Sequence, residues 1–250
     1  MIMDLNQYFK STCKILLGSE IGRLDEFGPY LLEIVDSPMK AKSALSGKPV
    51  YLSRPYYCKQ ARFVDAVEMK NPGAISINEI KDIDSLVAAM SEELYYCGNK
   101  NLGVSQNLEE SDMCNDSVNL LCTYNVMNSK NVAFSNGIRK SEYVFGCMLG
   151  GEVSFCLRCQ IVFYSQRCFE TYMSEKCSDA YCSFNCRNCA DVMFCFNQHS
   201  KKKAIGNIEL PADKYVGLKD KLKGEIAQML KEKKSFPSLF EVAQGGVADA

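Results

Sequence analysis

Between Gly151 and Cys195 the chain reads GEVSFCLRC, QIVFYSQRC, FETYMSEKC, SDAYCSFNC and RNCADVMFC, five successive nine-residue lines closing on Cys159, Cys168, Cys177, Cys186 and Cys195. A fixed short period is the mark of a stacked solenoid, in which each repeat packs on the one before it. The fold class expected is mainly β with helical flanks (α+β), a parallel β-solenoid with an N-terminal α/β segment and a C-terminal helix at its ends. Two or three nine-residue lines make one coil on this reading. With two, Cys159, Cys177 and Cys195 share one column, and Cys168 and Cys186 another; with three, Cys159 stacks on Cys186 and Cys168 on Cys195. Phe163, Tyr172 and Tyr181 then fall at one repeated position, and Ser165, Ser174 and Ser183 at another.

Outward from the ladder, short runs such as Asn131-Val-Ala-Phe-Ser-Asn136 and Glu142-Tyr-Val-Phe-Gly-Cys147 read as looser rungs. The solenoid is expected over 101–210, beginning between Asn101 and Val118, with strict phase only after Gly150 and with Ala204 to Leu210 as a last strand. Before it, 1–100 reads as a helical or mixed cap. Ile2, Leu5, Phe9, Cys13 and Leu16 mark one face of an amphipathic helix docked on its own domain. Tyr30 to Val35 and Pro49 to Ser53 read as strand-like runs. Asp84 to Cys97 is a helix with Leu86, Val87, Met90 and Leu94 at helical spacing, covering one end of the solenoid. After it, 211–250 holds a helix opened by Pro211, with Tyr215, Leu218, Leu222, Ile226, Met229 and Leu230 as its apolar stripe.

Composition narrows the function classes. The balance of 29 basic and 30 acidic residues gives no general field for a polyanion, which argues against nucleic acid. Lys201, Lys202 and Lys203 with Lys214, Lys219, Lys221 and Lys223 make the C-terminal region locally basic, but Asp213, Asp220 and Glu225 interleave them as on a solvated helix face. No run reaches the ~18 apolar residues of a membrane span, and Asp4 and Lys10 interrupt the opening segment, so no membrane association and a cytoplasmic location are expected. In that compartment the 14 cysteines are expected to stay mostly reduced.

The cysteines carry two readings. Cysteine is a small, readily buried residue, and a column of it suits a tight corner. The alternative is a zinc or iron–sulfur site. Cys156-x-x-Cys159 and Cys186-x-x-Cys189 have the spacing of metal knuckles, and Cys182, Cys186 and Cys189 form the best local set, with Cys156 and Cys159 as further candidates. Regular columns place sulfurs in a line rather than a tetrahedron, so packing leads and no cofactor is the primary expectation. His199 beside Cys195 is a possible base and nucleophile pair, set against a plain solvent-facing histidine. The chain contains no phosphate-binding loop, nucleophile elbow or dinucleotide fingerprint.

The run from Asn131 to Glu225, with Cys186-Arg-Asn-Cys189, Cys195 and then Asn207-Ile-Glu-Leu-Pro-Ala-Asp-Lys-Tyr215, resembles uncharacterised prokaryotic cysteine-rich β-helix proteins with a C-terminal capping helix. The resemblance implies a right-handed parallel β-helix and no particular activity. Some of those proteins carry zinc-ribbon CxxC pairs ahead of the repeats, and this chain does not. The function expected is a noncatalytic binding or assembly protein presenting a rigid solenoid surface, with a protein partner or self-association. The alternatives are a metal-binding protein using the out-of-phase cysteines, and an enzyme with a groove on the solenoid face.

Overall fold

The computed structural model describes residues 2–241 apart from 37, 55, 58, 70–74, 152, 164–165, 176–177 and 240. Helix α1 (Ile2–Leu17) and the short α2 (Gly28–Leu32) flank a 3₁₀ turn at Leu24–Phe27. Strands β1 (Met39–Lys42) and β2 (Pro49–Leu52) pair antiparallel; β3 (Phe63–Asp65) and β4 (Tyr96–Gly98) pair parallel, with α3 (Ile83–Glu93) between them in sequence. The solenoid follows: β5 (Asn101–Leu102), β6 (Gln106–Glu109), β7 (Asp112–Asn115), β8 (Val118–Met127), β9 (Lys130–Arg139), β10 (Glu142–Phe145), β11 (Met148–Gly151), β12 (Ser154–Phe163), β13 (Gln166–Glu175), β14 (Ser178–Phe184), β15 (Ala190–Met193) and β16 (Lys202–Ile205). A final strand, β17 (Ile208–Glu209), turns back antiparallel on β16, and α4 (Ala212–Lys233) completes the chain of elements.

The coil is twelve residues long. Val118 pairs with Lys130, Lys130 with Glu142, Glu142 with Ser154, Ser154 with Gln166, Gln166 with Ser178, Ser178 with Ala190 and Ala190 with Lys202, all parallel. This corrects the expectation of two or three nine-residue lines per coil. Cys159 stacks on Thr171, and Cys168 lies beside Cys156 in register. The phase also extends well beyond the cysteine ladder, since the same register already joins β6 to β8 and still joins β15 to β16.

Both periods rest on a step of three. From Ser111 to Cys195 every third residue whose side chain is described is buried, including Cys114, Ser117, Leu120, Thr123, Val126, Ser129 and Val132. The residue just before each inward position takes a left-handed backbone conformation, for example Asn119 (φ 58°), Cys122 (φ 50°), Asn125 (φ 55°) and Asn128 (φ 50°). Each such residue turns the chain, so three residues make one side and four sides close a coil. A left-handed residue other than glycine costs about 1–2 kcal/mol, less for Asn and Asp, whose short polar side chains bond locally. This accounts for Asn107, Asn119, Asn131, Asn185 and Asn197 at the turns. Some of them also bond coil to coil: Asn107 donates to Asn119 at 2.9 Å, Asn119 to Asn131 at 2.8 Å and Asn185 to Asn197 at 3.0 Å.

One outer wall of the solenoid is covered. Leu121, Ala133, Phe145, Leu157, Phe169, Tyr181 and Met193 succeed one another every twelve residues and form a single buried cluster with Leu5, Phe9, Cys13 and Leu16 of α1 and Ile226 and Leu230 of α4. The ring of Phe9 meets Phe145 edge-on at 5.4 Å, and the Tyr181 hydroxyl donates to the Leu16 carbonyl at 3.2 Å. The amphipathic face expected of α1 is therefore used on its own domain; the side chain of Ile2 lies outside the described residues. At Gly146 (φ 72°) a Cβ would lie 2.7 Å from the Leu31 side chain, so α2 approaches this wall too closely for any larger residue.

Three local expectations change. Tyr30 to Val35 is not a strand: Pro29 sits in the first turn of α2 and pre-sets its dihedral angles, while Tyr30 and Leu31 bury. The expected helix to Cys97 stops at Glu93, and Val87, Met90 and Leu94 stay exposed along a groove with Arg62, Tyr95 and Tyr96. The last strand is a hairpin, β16 and β17, whose return leg occupies the edge of the final coil.

Candidate functional site

The cysteine ladder lies in the interior. Its small residues share one hydrogen-bonding habit. The hydroxyls of Ser117, Ser129, Ser141 and Ser183 each donate to the carbonyl two residues earlier at 2.8 Å. The thiols of Cys186, Cys189 and Cys195 do the same at 3.5, 3.4 and 3.4 Å. Serine oxygens then accept the backbone N–H one coil later, as Ser117 does from Ser129 at 3.1 Å and Ser183 from Cys195 at 3.2 Å.

Nine residues forward is one coil on and one side back, which makes residues i and i+9 diagonal neighbours. The Cys186 thiol reaches the Cys195 carbonyl at 3.3 Å, Cys195 reaches the Ala204 carbonyl at 3.5 Å, and Thr171 reaches the Ala180 carbonyl at 2.8 Å. The ladder is thus a staircase around the inside of the solenoid, not a column. Cys177 lies outside the described residues.

The metal candidates separate on this geometry. Cys186 and Cys189 lie in the interior cluster with Cys195, and Cys159 in the interior cluster nearer the first coils. Cys182 is on the outer wall, under the helices. The side chain of Cys156 lies outside the described residues. A Cys-x-x-Cys spacing here is one side of the coil: it sends two sulfurs inward from adjacent sides. Among the described residues no group of three or more His, Cys, Asp or Glu side chains is arranged to hold a metal ion. Burial pushes the Cys182 thiol far above its ordinary range, reinforced by Glu170, and pushes Cys114 and Cys122 up to about 11. Without a metal, thiols of this kind stay protonated at neutral pH, whereas nucleophiles are thiolates. His199 is exposed and bonds Ser200 at 2.8 Å, on the opposite side of the backbone from the fully buried Cys195, so that pair does not form.

A cleft that gathers polar groups lies elsewhere, between the solenoid wall and the first half of α4. Its volume is about 270 Å³. The wall side carries Arg167, Asp179, Asp191 and Lys203, one from each of four successive coils, at left-handed turn positions with φ of 49°, 51°, 55° and 53°. The helix side carries Tyr215, Lys219 and Lys223, at helical spacing of four. Lys219 Nζ lies 3.1 Å from Asp191 Oδ1 and 3.6 Å from Asp179 Oδ2, and stands over the rings of Tyr181 at 5.2 Å and Tyr215 at 5.5 Å. Although the spacing of charges predicts a solvated helix face, the Lys219 side chain is only 15% exposed. The wall supplies the carboxylates that compensate it.

Two residues of this cleft each hold a buried polar atom with no hydrogen-bond partner among the described residues: Tyr215 Oη and Asp179 Oδ1. Lys223 Nζ stands 5.6 Å from the Tyr181 ring, and partial burial followed by the charge of Lys219 draws its ammonium below the usual lysine range. Burial, then Asp191, raises the Tyr215 phenol, and burial, then Asp179, raises that of Tyr181, so both rings stay neutral donors. The signal that could have found this site is the twelve-residue spacing of Arg167, Asp179, Asp191 and Lys203, legible only once the coil length is known.

A second buried ionic group lies on the covered wall. Arg158 and Glu170, one coil apart and both fully buried, approach at 3.6 Å, and Arg158 also bonds Glu33 at 2.8 Å and stacks over Tyr30 at 4.1 Å. Burial lifts the Glu170 carboxyl to about 7 against the opposing pull of Arg158. No family model and no curated protein matches the chain. Among the described residues no helix is long and apolar enough to cross a membrane.

Proposed function

We propose that the chain is a noncatalytic binding protein in which the solenoid is the rigid frame and the cleft beneath α4 receives a small polar ligand. The observation that carries this reading is that two residues lining one cleft, Tyr215 and Asp179, each hold a polar atom, Oη and Oδ1, that is closed off from water and has no hydrogen-bond partner among the described residues. A buried polar group without a partner is destabilising by about 1–3 kcal/mol, and native structures hold few of them. A ligand toward which both side chains turn, and which bonds both groups, removes that penalty. Support also comes from the frame itself: wall residues locked by the coil register hold their geometry without ligand, which lowers the ordering cost of binding. The reading places the protein in the cytoplasm, where buried thiols such as Cys114, Cys182 and Cys195 persist.

Thermal unfolding of the full chain against a panel of small polar metabolites tests it. A cleft ligand at about a hundred times its dissociation constant adds about 2.7 kcal/mol of stability, a shift of several degrees in Tm. The shift is expected in the native chain and lost in Lys219→Met. A panel in which no compound moves Tm, or in which Lys219→Met responds as the native chain does, refutes the proposal.

A further inference from the structure

We infer that the ligand of the α4 cleft is a free α-amino acid, bound through its ammonium and its carboxylate together; this rests on the binding reading above. The charges along the cleft are mixed rather than of one sign. Lys219 is already shared between Asp191 and Asp179. What is left over is an acceptor, Asp179 Oδ1, a neutral donor, Tyr215 Oη, and a half-buried ammonium, Lys223, with Arg167 and Lys203 on the same wall and the Asp220 carboxylate on the helix. A simple anion answers Lys223 and Tyr215 but sets like charge against Asp179. A simple cation answers Asp179 and is repelled by Lys223. A ligand carrying both charges close together satisfies acceptor and donors at once, and an α-amino acid holds them on a single carbon.

Size and apolar lining agree. A cleft of about 270 Å³ lies below the range of pockets that enclose drug-sized molecules and suits a metabolite of amino-acid size. Ile15 of α1 and Val216 of α4 supply its apolar lining, where the ligand's side chain would rest, so aliphatic amino acids such as leucine are the expected members of the class. Asp179 fixes the ammonium end. Lys223 and Tyr215 fix the carboxylate end.

Isothermal titration of the full chain tests this, with the common free amino acids, N-acetylleucine, leucinamide, acetate and inorganic phosphate as probes. Leucine or another aliphatic amino acid is expected to bind, and removing either charge, as in N-acetylleucine or leucinamide, to weaken binding by at least about tenfold. Asp179→Asn is expected to cause a similar loss without unfolding the chain, since Asn occupies the same left-handed turn position elsewhere in the solenoid, as at Asn185 and Asn197; an unchanged Tm without ligand checks that. Binding of acetate, phosphate or a blocked derivative as tight as that of leucine overturns the ligand class while leaving a binding cleft. Full-strength amino-acid binding by Asp179→Asn overturns the assignment of the ammonium site. Heat from none of the probes overturns the ligand class, and with a silent metabolite panel it takes the binding reading down as well.

Discussion

Serine and cysteine are near equivalents at the inward positions of this solenoid, because each is small and each returns a hydrogen bond to the carbonyl two residues back. Ser183 and Cys195, one coil apart on the same side, make that bond at 2.8 and 3.4 Å. Cys195→Ser is therefore expected to change stability by less than about 1 kcal/mol, whereas Cys195→Leu should cost about 1–3 kcal/mol through overpacking, as a urea titration of both variants would show. The serine oxygens do a second job. Ser129 Oγ accepts the backbone N–H of Ser141 at 3.2 Å in a fully buried setting. Ser129→Ala leaves that N–H without a partner, and a loss of about 1–3 kcal/mol is expected from the same titration; a loss below a few tenths would mean the bond is dispensable.

At the scale of elements, the helical layer is fixed to its wall by both apolar and ionic contacts, and the ionic ones make the attachment sensitive to pH. Glu170 faces Arg158 on the neighbouring coil, with Glu33, Tyr30, Cys182 and Glu241 around it. Its carboxyl titrates near 7 in the fold against an ordinary 4.5, so folding favours the protonated form. The stability this contributes is fully present below about pH 4.5 and is lost as pH rises through about 7. Relative to Glu170→Gln, the native chain is expected to lose about 1–3 kcal/mol between those limits and to run parallel above them. Denaturant midpoints across pH 4–8 check the sign. A native chain that gains on the variant as pH rises would show that Arg158 holds Glu170 ionised.

For the whole molecule, the two ends of the stack are closed differently. At the start, the fully buried Asp112 accepts the backbone N–H of Ser53 at 2.7 Å and of Lys100 at 2.8 Å, and the Lys100 ammonium stands 3.1 Å away. One carboxylate therefore ties β2 and the entry strand to the first complete coil. At the far end β17 pairs with β16, and the inward positions turn polar: Gln198 bonds the Phe196 carbonyl at 2.9 Å, and Lys201 reaches Glu209 at 3.4 Å. The strands of each coil pair only with the neighbouring coils, and α1 packs on β9, β10, β12 and β13, so damage at β5 to β7 stays local. Asp112→Ala is expected to raise amide exchange by at least about tenfold in β5 to β7 while β12 to β14 keep their protection. Uniform loss along the stack would show that the coils unfold as one unit.

The repeated cysteines made the solenoid legible in the sequence, because a short period admits few other architectures. The opening helix and the helix after Pro211 were legible too, since their apolar faces recur at helical spacing. The coil length was not. Nine and twelve are both multiples of three, and the cysteines mark the diagonal i to i+9 contact more conspicuously than the i to i+12 register that carries the backbone ladder. The deeper signal, a small or aliphatic residue at every third place from Leu108 to Cys195, lay beneath the cysteine pattern. Secondary structure in the N-terminal segment misled where local preference gave way to packing, as at Tyr30 and Leu31, which bury against the wall as helix. By itself, then, the sequence determined the architecture, because a short repeat with a small or aliphatic residue at every third place buries its inward face by stacking on itself. Tertiary structure alone decided the site: Asp179 and Asp191 become neighbours only through the twelve-residue register, and Lys219 and Tyr215 join them only because α4 lies along that wall.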